Sequence, residues 1–139
     1  TQKIRVRVWD PSDSGPQPRG KQVKDPKGIW YTPVTGIWQT VWLETVPESY
    51  LSAIYSNTDW ENGVQVFYPQ VSSSKDGLEV EVTLKDGATV AGSFRGKSNA
   101  PIPVKLKAPK NWSPDSPNLY DVSIKIWEGK KLIEEVKSY

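Results

Sequence analysis

The chain has 139 residues, with 18 Lys and Arg against 16 Asp and Glu, and it contains no cysteine, methionine or histidine. This composition excludes a disulfide scaffold, thiolate chemistry, Cys/His zinc sites and every catalytic scheme that needs an imidazole. We also expect no metal and no cofactor. The near-balanced charge offers no field that would attract nucleic acid or an anionic membrane, and no apolar run approaches the ~18–20 residues of a spanning helix.

The first 46 residues contain two predicted strands separated by a long loop. Ile4–Trp9 alternates apolar and polar residues, and Ile37–Thr45 carries large apolar groups on both faces, which is typical of a strand buried on both sides. Between them, Asp10–Gly36 is rich in Pro, Gly, Ser and Lys. Because two strands cannot bury such a segment alone, we expect residues 1–46 to be the tail of a preceding β domain, cut from a longer polypeptide. We also expect both strands to be covered, either by folding back or by pairing with another copy of the chain.

Residues 47–139 alternate with period two almost throughout, and turn signals such as Asp86-Gly87 and Glu128-Gly129-Lys130 separate the runs. Several short strands at ~8–12-residue spacing indicate a sandwich or barrel. We therefore predict an all-β fold, an immunoglobulin-like β-sandwich of about seven strands. The predicted strands are Tyr50–Tyr55, Val64–Val71, Leu78–Lys85, Ala88–Phe94, Ile102–Lys107, Leu119–Trp127 and Lys131–Lys137.

Two motifs go beyond composition. The segment Gly28–Glu44 reads GIWYTPVTGIWQTVWLE, and the segment Trp112–Val122 reads WSPDSPNLYDV. In this order and at this separation they resemble glycoside hydrolase family 2, the group of β-galactosidases, β-glucuronidases and β-mannosidases. The resemblance implies that residues 1–46 are the C-terminal remnant of a sugar-binding jelly roll and that residues 47–139 are the immunoglobulin-like domain. A catalytic (β/α)8 barrel would follow Tyr139.

The resemblance also implies a function. The chain would be a non-catalytic accessory region of a family 2 glycosidase, β-galactosidase-like, and inactive by itself. Its partners would be the catalytic barrel and the jelly-roll domain of the parent chain, with carbohydrate as a further candidate and a homo-oligomer formed through the N-terminal strands. The parent would be exported, to the periplasm or the medium, by a bacterium.

The loop between the first two predicted strands holds the candidate sugar contacts. Arg19 and Gln22 supply a cationic donor and an amide, and Trp30 and Tyr31 supply aromatic faces. These groups suit the hydroxyls and the apolar faces of sugar rings. The acidic residue that some family members carry before the Gly-Ile motif is missing here, and the nearest acid is Asp25.

No catalytic residue is predicted in this chain. Glycoside hydrolysis needs two carboxyl groups ~5–5.5 Å or ~6.5–9.5 Å apart that flank a cleft. Glu79 and Glu81 share one strand face, but that face is the polar side of a regular alternation and indicates a solvated surface. Glu134 and Glu135 point to opposite faces of their strand.

The burial or exposure of the aromatic side chains distinguishes two interpretations of the chain, a spacer domain and an independent carbohydrate-binding module. A spacer domain should bury Trp38, Trp42, Trp112 and Trp127 in sandwich and domain-interface packing, with Trp112 closing the end of the core. An independent carbohydrate-binding module should instead present two or more Trp or Tyr side chains on an exposed face. An adhesion-type receptor module is a third interpretation and has only the sandwich in its favour. In any of them, the Tyr120 hydroxyl is expected to bond a backbone group across a corner of the sandwich.

Overall fold

The computed structural model describes residues 3–139, and all of its regular elements are β-strands. Contacts divide the chain into two compact units, Thr1–Glu44 and Thr45–Tyr139. Within the described residues, no helix has the length and apolar character that a membrane crossing requires.

The second unit contains the strands. Each of the seven predicted strands is present, with ends that differ by a few residues. Two additional strands of two residues each lie in the Trp-Ser-Pro motif. In chain order the strands are β1 (Tyr50–Asp59), β2 (Val64–Ser72), β3 (Leu78–Asp86), β4 (Thr89–Lys97), β5 (Ile102–Lys105), β6 (Trp112–Ser113), β7 (Ser116–Pro117), β8 (Asp121–Glu128) and β9 (Lys131–Ser138).

Two antiparallel sheets form the sandwich. One has the order β1-β2-β5 and the other the order β4-β3-β8-β9. Their inner faces supply a core of aliphatic side chains with one phenylalanine, as the alternation predicts. The all-β sandwich prediction is confirmed.

Strand β3 shows how the sequence pattern produces the core. Its burial alternates without interruption, with Leu78, Val80, Val82 and Leu84 inside and their neighbours at the surface. Val80 and Val82 are fully buried, and the register places Val82 opposite Ile124 of β8. Each such side chain contributes about 1.5–3 kcal/mol relative to an exposed one, so this strand is a main source of stability.

Tight turns close two of the hairpins where the sequence predicts them. Gly87 joins β3 to β4 and Gly129 joins β8 to β9, each with φ of 59°. Glycine adopts this left-handed backbone without the Cβ clash that other residues meet.

The N-terminal unit differs from the prediction. The structure forms no strand over Ile4–Trp9 or Ile37–Thr45. A strand is stable when its backbone N–H and C=O groups pair with a neighbour, and the described chain supplies neither segment with one. Large apolar side chains of both segments are exposed, up to 87% at Trp38. Coverage of these segments by folding back on the sandwich stays a prediction. Pairing with another copy stays a prediction.

The spacer interpretation predicts that four tryptophans are buried, and three of these four are exposed. Trp38, Trp42 and Trp112 are exposed, and only Trp127 is half-buried. Val, Ile and Leu side chains fill the core, and Trp112 belongs to the small β6–β7 ladder outside the two sheets. Trp112 therefore does not close the end of the core.

The segment between β5 and β8 contains the small two-strand ladder β6–β7. Trp112 pairs with Pro117 and Ser113 pairs with Ser116, and the Ser116 N–H donates to the Ser113 hydroxyl at 3.0 Å. Tyr120 follows this ladder, and its hydroxyl oxygen accepts a hydrogen bond from the Lys110 N–H, so the predicted corner bond is confirmed.

Candidate functional site

The loop of the N-terminal unit is folded back on itself at two of the predicted sugar contacts. Gln22 and Tyr31 form an isolated parallel bridge. The Tyr31 N–H donates to the Lys21 carbonyl at 2.8 Å, and the Val23 N–H donates to the Tyr31 carbonyl at 3.1 Å. These backbone bonds hold the two ends of the aromatic and cationic stretch side by side.

The other two predicted contacts meet each other directly. The Arg19 guanidinium lies 5.9 Å from the centre of the Trp30 ring, which is within reach of a cation–π interaction. Arg19 therefore already occupies one face of the indole. Tyr31 is 64% exposed and Trp30 41%, so Tyr31 presents the freer aromatic ring. The structure brings all four predicted residues into one loop.

Sequence reasoning missed an acidic residue in this unit. The Asp10 carboxylate accepts hydrogen bonds from the Thr35 hydroxyl at 3.0 Å and from the Ser12 N–H at 2.7 Å. Asp10 therefore contacts Thr35, the residue directly before the second Gly-Ile-Trp stretch at positions 36–38. Asp25, by contrast, forms an ion pair with Lys27 at the surface. The Asp10-Pro11-Ser12 turn was the available signal, because an aspartate commonly bonds the backbone N–H two residues on.

Carboxylates of the sandwich take part in structural bonds. Glu79 accepts two hydrogen bonds from Arg95, whose guanidinium also donates to the Gly129 carbonyl and lies 4.9 Å from the centre of the Trp127 ring. Glu134 accepts from the Leu51 N–H at 2.8 Å. Each of these acids has a local partner that explains its position.

The resolved pKa shifts all favour the charged form. The Ser123 hydroxyl donates to Glu135 and lowers the pKa of that carboxyl, and the Asn62 side chain does the same for Asp59. Asp86 accepts a hydrogen bond from Lys110 and raises the pKa of that amine. A glycosidase acid needs the opposite shift, a raised carboxyl pKa, so none of these groups has that character.

One end of the sandwich carries an open cavity of about 260 Å³. Trp60, Trp112, Leu119 and Tyr139 contribute apolar walls and are all more than half exposed. Among residues 3–139, no group of three or more Asp and Glu side chains is placed to hold a metal ion.

Comparison with known proteins identifies the family. The family model described as glycosyl hydrolases family 2 matches residues 51–139. The chain belongs to glycosyl hydrolase family 2. It is 32% identical over 120 residues, or 80% of its length, to one of two candidate beta-glucuronidases of Formosa agariphila, and 33% identical over 112 residues to the other.

Solved structures of two glycosidases share the fold. A beta-glycosidase from Bacteroides vulgatus superposes with a TM-score of 0.65 at 21% identity, covering 80% of this chain and 15% of that protein. An FMN-binding beta-glucuronidase of Faecalibacterium prausnitzii gives 0.54 at 22% identity, covering 66% of this chain and 16% of that protein. The chain spans only 12% and 14% of the length of the two Formosa relatives.

Proposed function

We propose that this chain is a non-catalytic accessory region of a family 2 glycosidase. The observation that carries the proposal is that the chain, which contains a seven-strand sandwich, spans only 12% and 14% of the length of the two Formosa relatives. In that sandwich Glu79 and Glu134 accept hydrogen bonds from local partners, and the Ser123 hydroxyl lowers the pKa of the Glu135 carboxyl. The paired carboxyl groups of glycoside hydrolysis would then lie elsewhere in the parent protein.

The contribution of such a region to catalysis is positional. A rigid sandwich keeps the chain that precedes it and the chain that follows it at fixed points, and a catalytic barrel depends on such fixed geometry for its substrate contacts. The parent's barrel and jelly roll are the proposed partners. Arg19, Gln22, Trp30 and Tyr31 are the proposed sugar contacts, because the loop holds them together in one place.

The parent's substrate is proposed to be a β-glycoside. The motifs are compatible with a β-galactoside, and the names of the Formosa relatives favour a β-glucuronide. Nitrophenyl β-D-galactoside and nitrophenyl β-D-glucuronide distinguish these two possibilities directly.

The test compares two purified proteins, this chain and the whole parent polypeptide. We expect the parent to hydrolyse one of the two nitrophenyl glycosides and the chain to show no hydrolysis above a buffer control. Hydrolysis by the chain that survives repeated purification would overturn the accessory role. An inactive parent on a broad panel of β-glycosides would overturn the glycosidase assignment.

A second candidate is an independent carbohydrate-binding module. The exposure of Trp38, Trp42 and Trp112 favours it, because aromatic side chains on an open surface are the usual sugar platforms. Titration of the chain with oligosaccharides, followed by acrylamide quenching of tryptophan fluorescence, separates the two. Protection by sugar that Trp42→Phe or Trp112→Phe abolishes supports the module, and the absence of such protection supports the spacer.

The compartment of the parent is also a proposal. We infer an exported parent, in the periplasm or the medium of a bacterium, from the family resemblance; the absence of cysteine is compatible with either compartment. Fractionation of cells that express the tagged parent tests it. Enzyme found only in the cytoplasmic fraction would contradict export.

A further inference from the structure

The turn that joins β1 to β2 contains an asparagine followed by a glycine, Asn62-Gly63. An asparagine side chain can be attacked by the backbone nitrogen of the next residue, and glycine hinders this attack least because it has no Cβ. The chain has five asparagines, and the other four are followed by larger residues, Thr58, Ala100, Trp112 and Leu119. The dipeptide at this turn is therefore the one most open to that reaction.

The Gly63 nitrogen, which would be the attacking atom, is only weakly engaged. Its N–H donates to the Trp60 carbonyl at 3.4 Å, whereas an ordinary N–H···O bond measures about 2.7–3.2 Å. Asn62 is exposed, so water and hydroxide reach the peptide group between the two residues. The nitrogen can thus lose its proton without the loss of a strong hydrogen bond.

A cation lies on the same peptide group. Lys105 is opposite Val64 in the β2–β5 ladder, and its ammonium group donates a hydrogen bond to the Asn62 carbonyl oxygen. That oxygen and the Gly63 nitrogen share electrons through the resonance of the peptide bond. When the nitrogen loses its proton, the negative charge that spreads onto the oxygen meets a positive partner. Lys105 therefore makes the Gly63 nitrogen a better nucleophile.

Asp59 holds the side chain that would be attacked. Its carboxylate oxygens accept hydrogen bonds from the Asn62 N–H at 3.1 Å and from the Asn62 Nδ2–H at 2.9 Å. These bonds lower the pKa of the Asp59 carboxyl and keep it charged. A charged acceptor on Nδ2 fixes the side chain and pushes electron density onto the amide, so its carbon becomes less electrophilic. Asp59 therefore opposes the reaction that Lys105 favours.

We propose that Asn62 is a site of spontaneous deamidation, with Lys105 as the group that activates Gly63 and Asp59 as the group that restrains the asparagine side chain. The modification needs no cofactor and no enzyme. It goes beyond the accessory role inferred above and does not depend on it.

The reaction has two steps. The Gly63 nitrogen gives its proton to hydroxide and forms a bond to Asn62 Cγ, the bond from Cγ to Nδ2 breaks, and Nδ2 takes a proton from water and leaves as ammonia. Water then adds to one of the two carbonyl carbons of the resulting five-membered imide and opens the ring. The products are aspartate and isoaspartate, and in the second the main chain runs through the former side chain.

Deamidation changes a wall of the cavity at the end of the sandwich, because Asp59, Trp60 and Gly63 line it. The product has lost the Nδ2–H donor and carries a carboxylate next to Asp59, and like charges at such a distance repel each other. Asn62→Asp reproduces this charge and should lower the thermal midpoint by about 4–8 °C. Asn111→Asp is the control, since this exposed residue also borders the cavity, and its midpoint should be unchanged.

The test incubates the folded 139-residue chain in mildly alkaline buffer. Mass spectrometry of proteolytic fragments measures the replacement of NH by O at each asparagine, and an isoaspartyl methyltransferase with labelled methyl donor counts isoaspartate independently. We expect the modification to accumulate at Asn62 before it is detected at the other asparagines. Asn62→Gln should leave the corresponding fragment unmodified, because its longer side chain would have to close a larger ring.

Two substitutions test the neighbouring groups. Lys105→Met should slow deamidation about fivefold, and Asp59→Ala should accelerate it about fivefold. A merely structural role of Lys105 predicts the opposite sign, because a looser turn lets the side chain approach Gly63 more often. Lys107→Met is the matched control, since it removes the same charge and, within the described part of the chain, its ammonium group makes no bond to Asn62. Its rate should equal that of the unmodified sequence.

Several outcomes would overturn the proposal. Equal accumulation at all asparagines, or none at Asn62 while the urea-unfolded chain reacts there, removes the site. Unchanged or faster deamidation in Lys105→Met, or equal slowing in Lys107→Met, removes the activation, and an unchanged midpoint for Asn62→Asp removes the effect on the cavity wall. Circular dichroism shows that each variant keeps its sheets. The glycosidase role is tested by hydrolysis with the parent, so either inference can fail without the other.

Discussion

The Tyr120 hydroxyl oxygen accepts a hydrogen bond of 2.8 Å from the backbone N–H of Lys110. This bond ties the residue just before β8 to the segment that follows β5, across the small ladder of the Trp-Ser-Pro motif. It gives an exposed backbone N–H a fixed partner and holds a connection of fifteen residues in one conformation.

Removal of that hydroxyl should therefore destabilise the sandwich. Tyr120→Phe keeps the packed ring and removes the acceptor, so we expect the free energy of unfolding to fall by about 0.5–1.5 kcal/mol. Urea unfolding followed by circular dichroism measures the change. Tyr55→Phe is the control, because that ring is 61% exposed and should change stability by less than about 0.5 kcal/mol. Equal effects of the two substitutions would contradict the role of the corner bond.

The loss of unfolding free energy when an isoleucine is truncated to alanine should depend on how deeply that isoleucine is buried. Ile102 is fully buried between the sheets, whereas Ile4 is 77% exposed in the N-terminal unit. Ile102→Ala should cost about 2–5 kcal/mol of unfolding free energy, and Ile4→Ala less than about 0.5 kcal/mol. The same urea titration compares them. A large loss from Ile4→Ala would indicate that the N-terminal segment is covered in solution, for example by another copy of the chain, and light scattering would then report a dimer.

The backbone of β5 lies against Gly92 of β4 so closely that no side chain fits. A Cβ at Gly92 would lie 2.5 Å from the Lys105 carbonyl oxygen and 2.9 Å from a Val104 methyl group. Gly92→Ala should destabilise the sandwich by about 1–3 kcal/mol, because a backbone oxygen cannot move aside. Gly15→Ala is the control, since only the flexible Gln17 side chain lies close, and its thermal midpoint should stay unchanged. An unchanged midpoint for Gly92→Ala would contradict this packing.

Arg95 makes contacts that lysine cannot reproduce together. Its planar guanidinium donates to Glu79 and to the Gly129 carbonyl while it lies over the Trp127 ring. Arg95→Lys should lower the unfolding free energy by about 0.5–1.5 kcal/mol. Lys27→Gln, which breaks a fully surface-exposed pair with Asp25, should change it by less than about 0.5 kcal/mol. If Arg95→Lys is as neutral as the control, the cluster is only a surface arrangement.

Glu135 should make stability depend on pH at the acidic end. The Ser123 hydroxyl lowers the pKa of this carboxyl below its usual 4.5, so the folded state holds the proton less tightly than the unfolded state does. Its stabilising contribution is complete above the unfolded pKa and is lost as the pH falls through the lower folded value. Ser123→Ala should raise the Glu135 pKa toward 4.5, as measured by ¹³C NMR of the side-chain carboxyl. Ser93→Ala, which leaves Glu135 untouched, should not shift it.

The sandwich could be predicted from the sequence because each strand carries its own burial pattern. Leu78, Val80, Val82 and Leu84 alternate with polar residues, and Gly87 and Gly129 mark the turns between strands. These are local rules of backbone geometry, so they apply wherever the segment lies. The corner bond of Tyr120 was predicted instead by analogy with the tyrosine corner of related sandwiches.

The N-terminal unit could not be predicted in that way. Ile37–Thr45 has the apolar pattern of a buried strand, but a strand also needs a neighbour that supplies backbone hydrogen bonds, and none of the described residues does so. The four loop residues Arg19, Gln22, Trp30 and Tyr31 were identified by chemical type, and only the folded loop shows Arg19 on Trp30 and Gln22 beside Tyr31.

The sequence alone thus determined the family, the strands of the sandwich and the residues at its turns, because local patterns and motifs carry that information. Only the tertiary structure decided which polar groups meet. Asp10 and Thr35 are 25 residues apart and bond each other, and Glu79 is held by Arg95 across two strands. Such pairings depend on how distant segments approach in space, which no local pattern encodes.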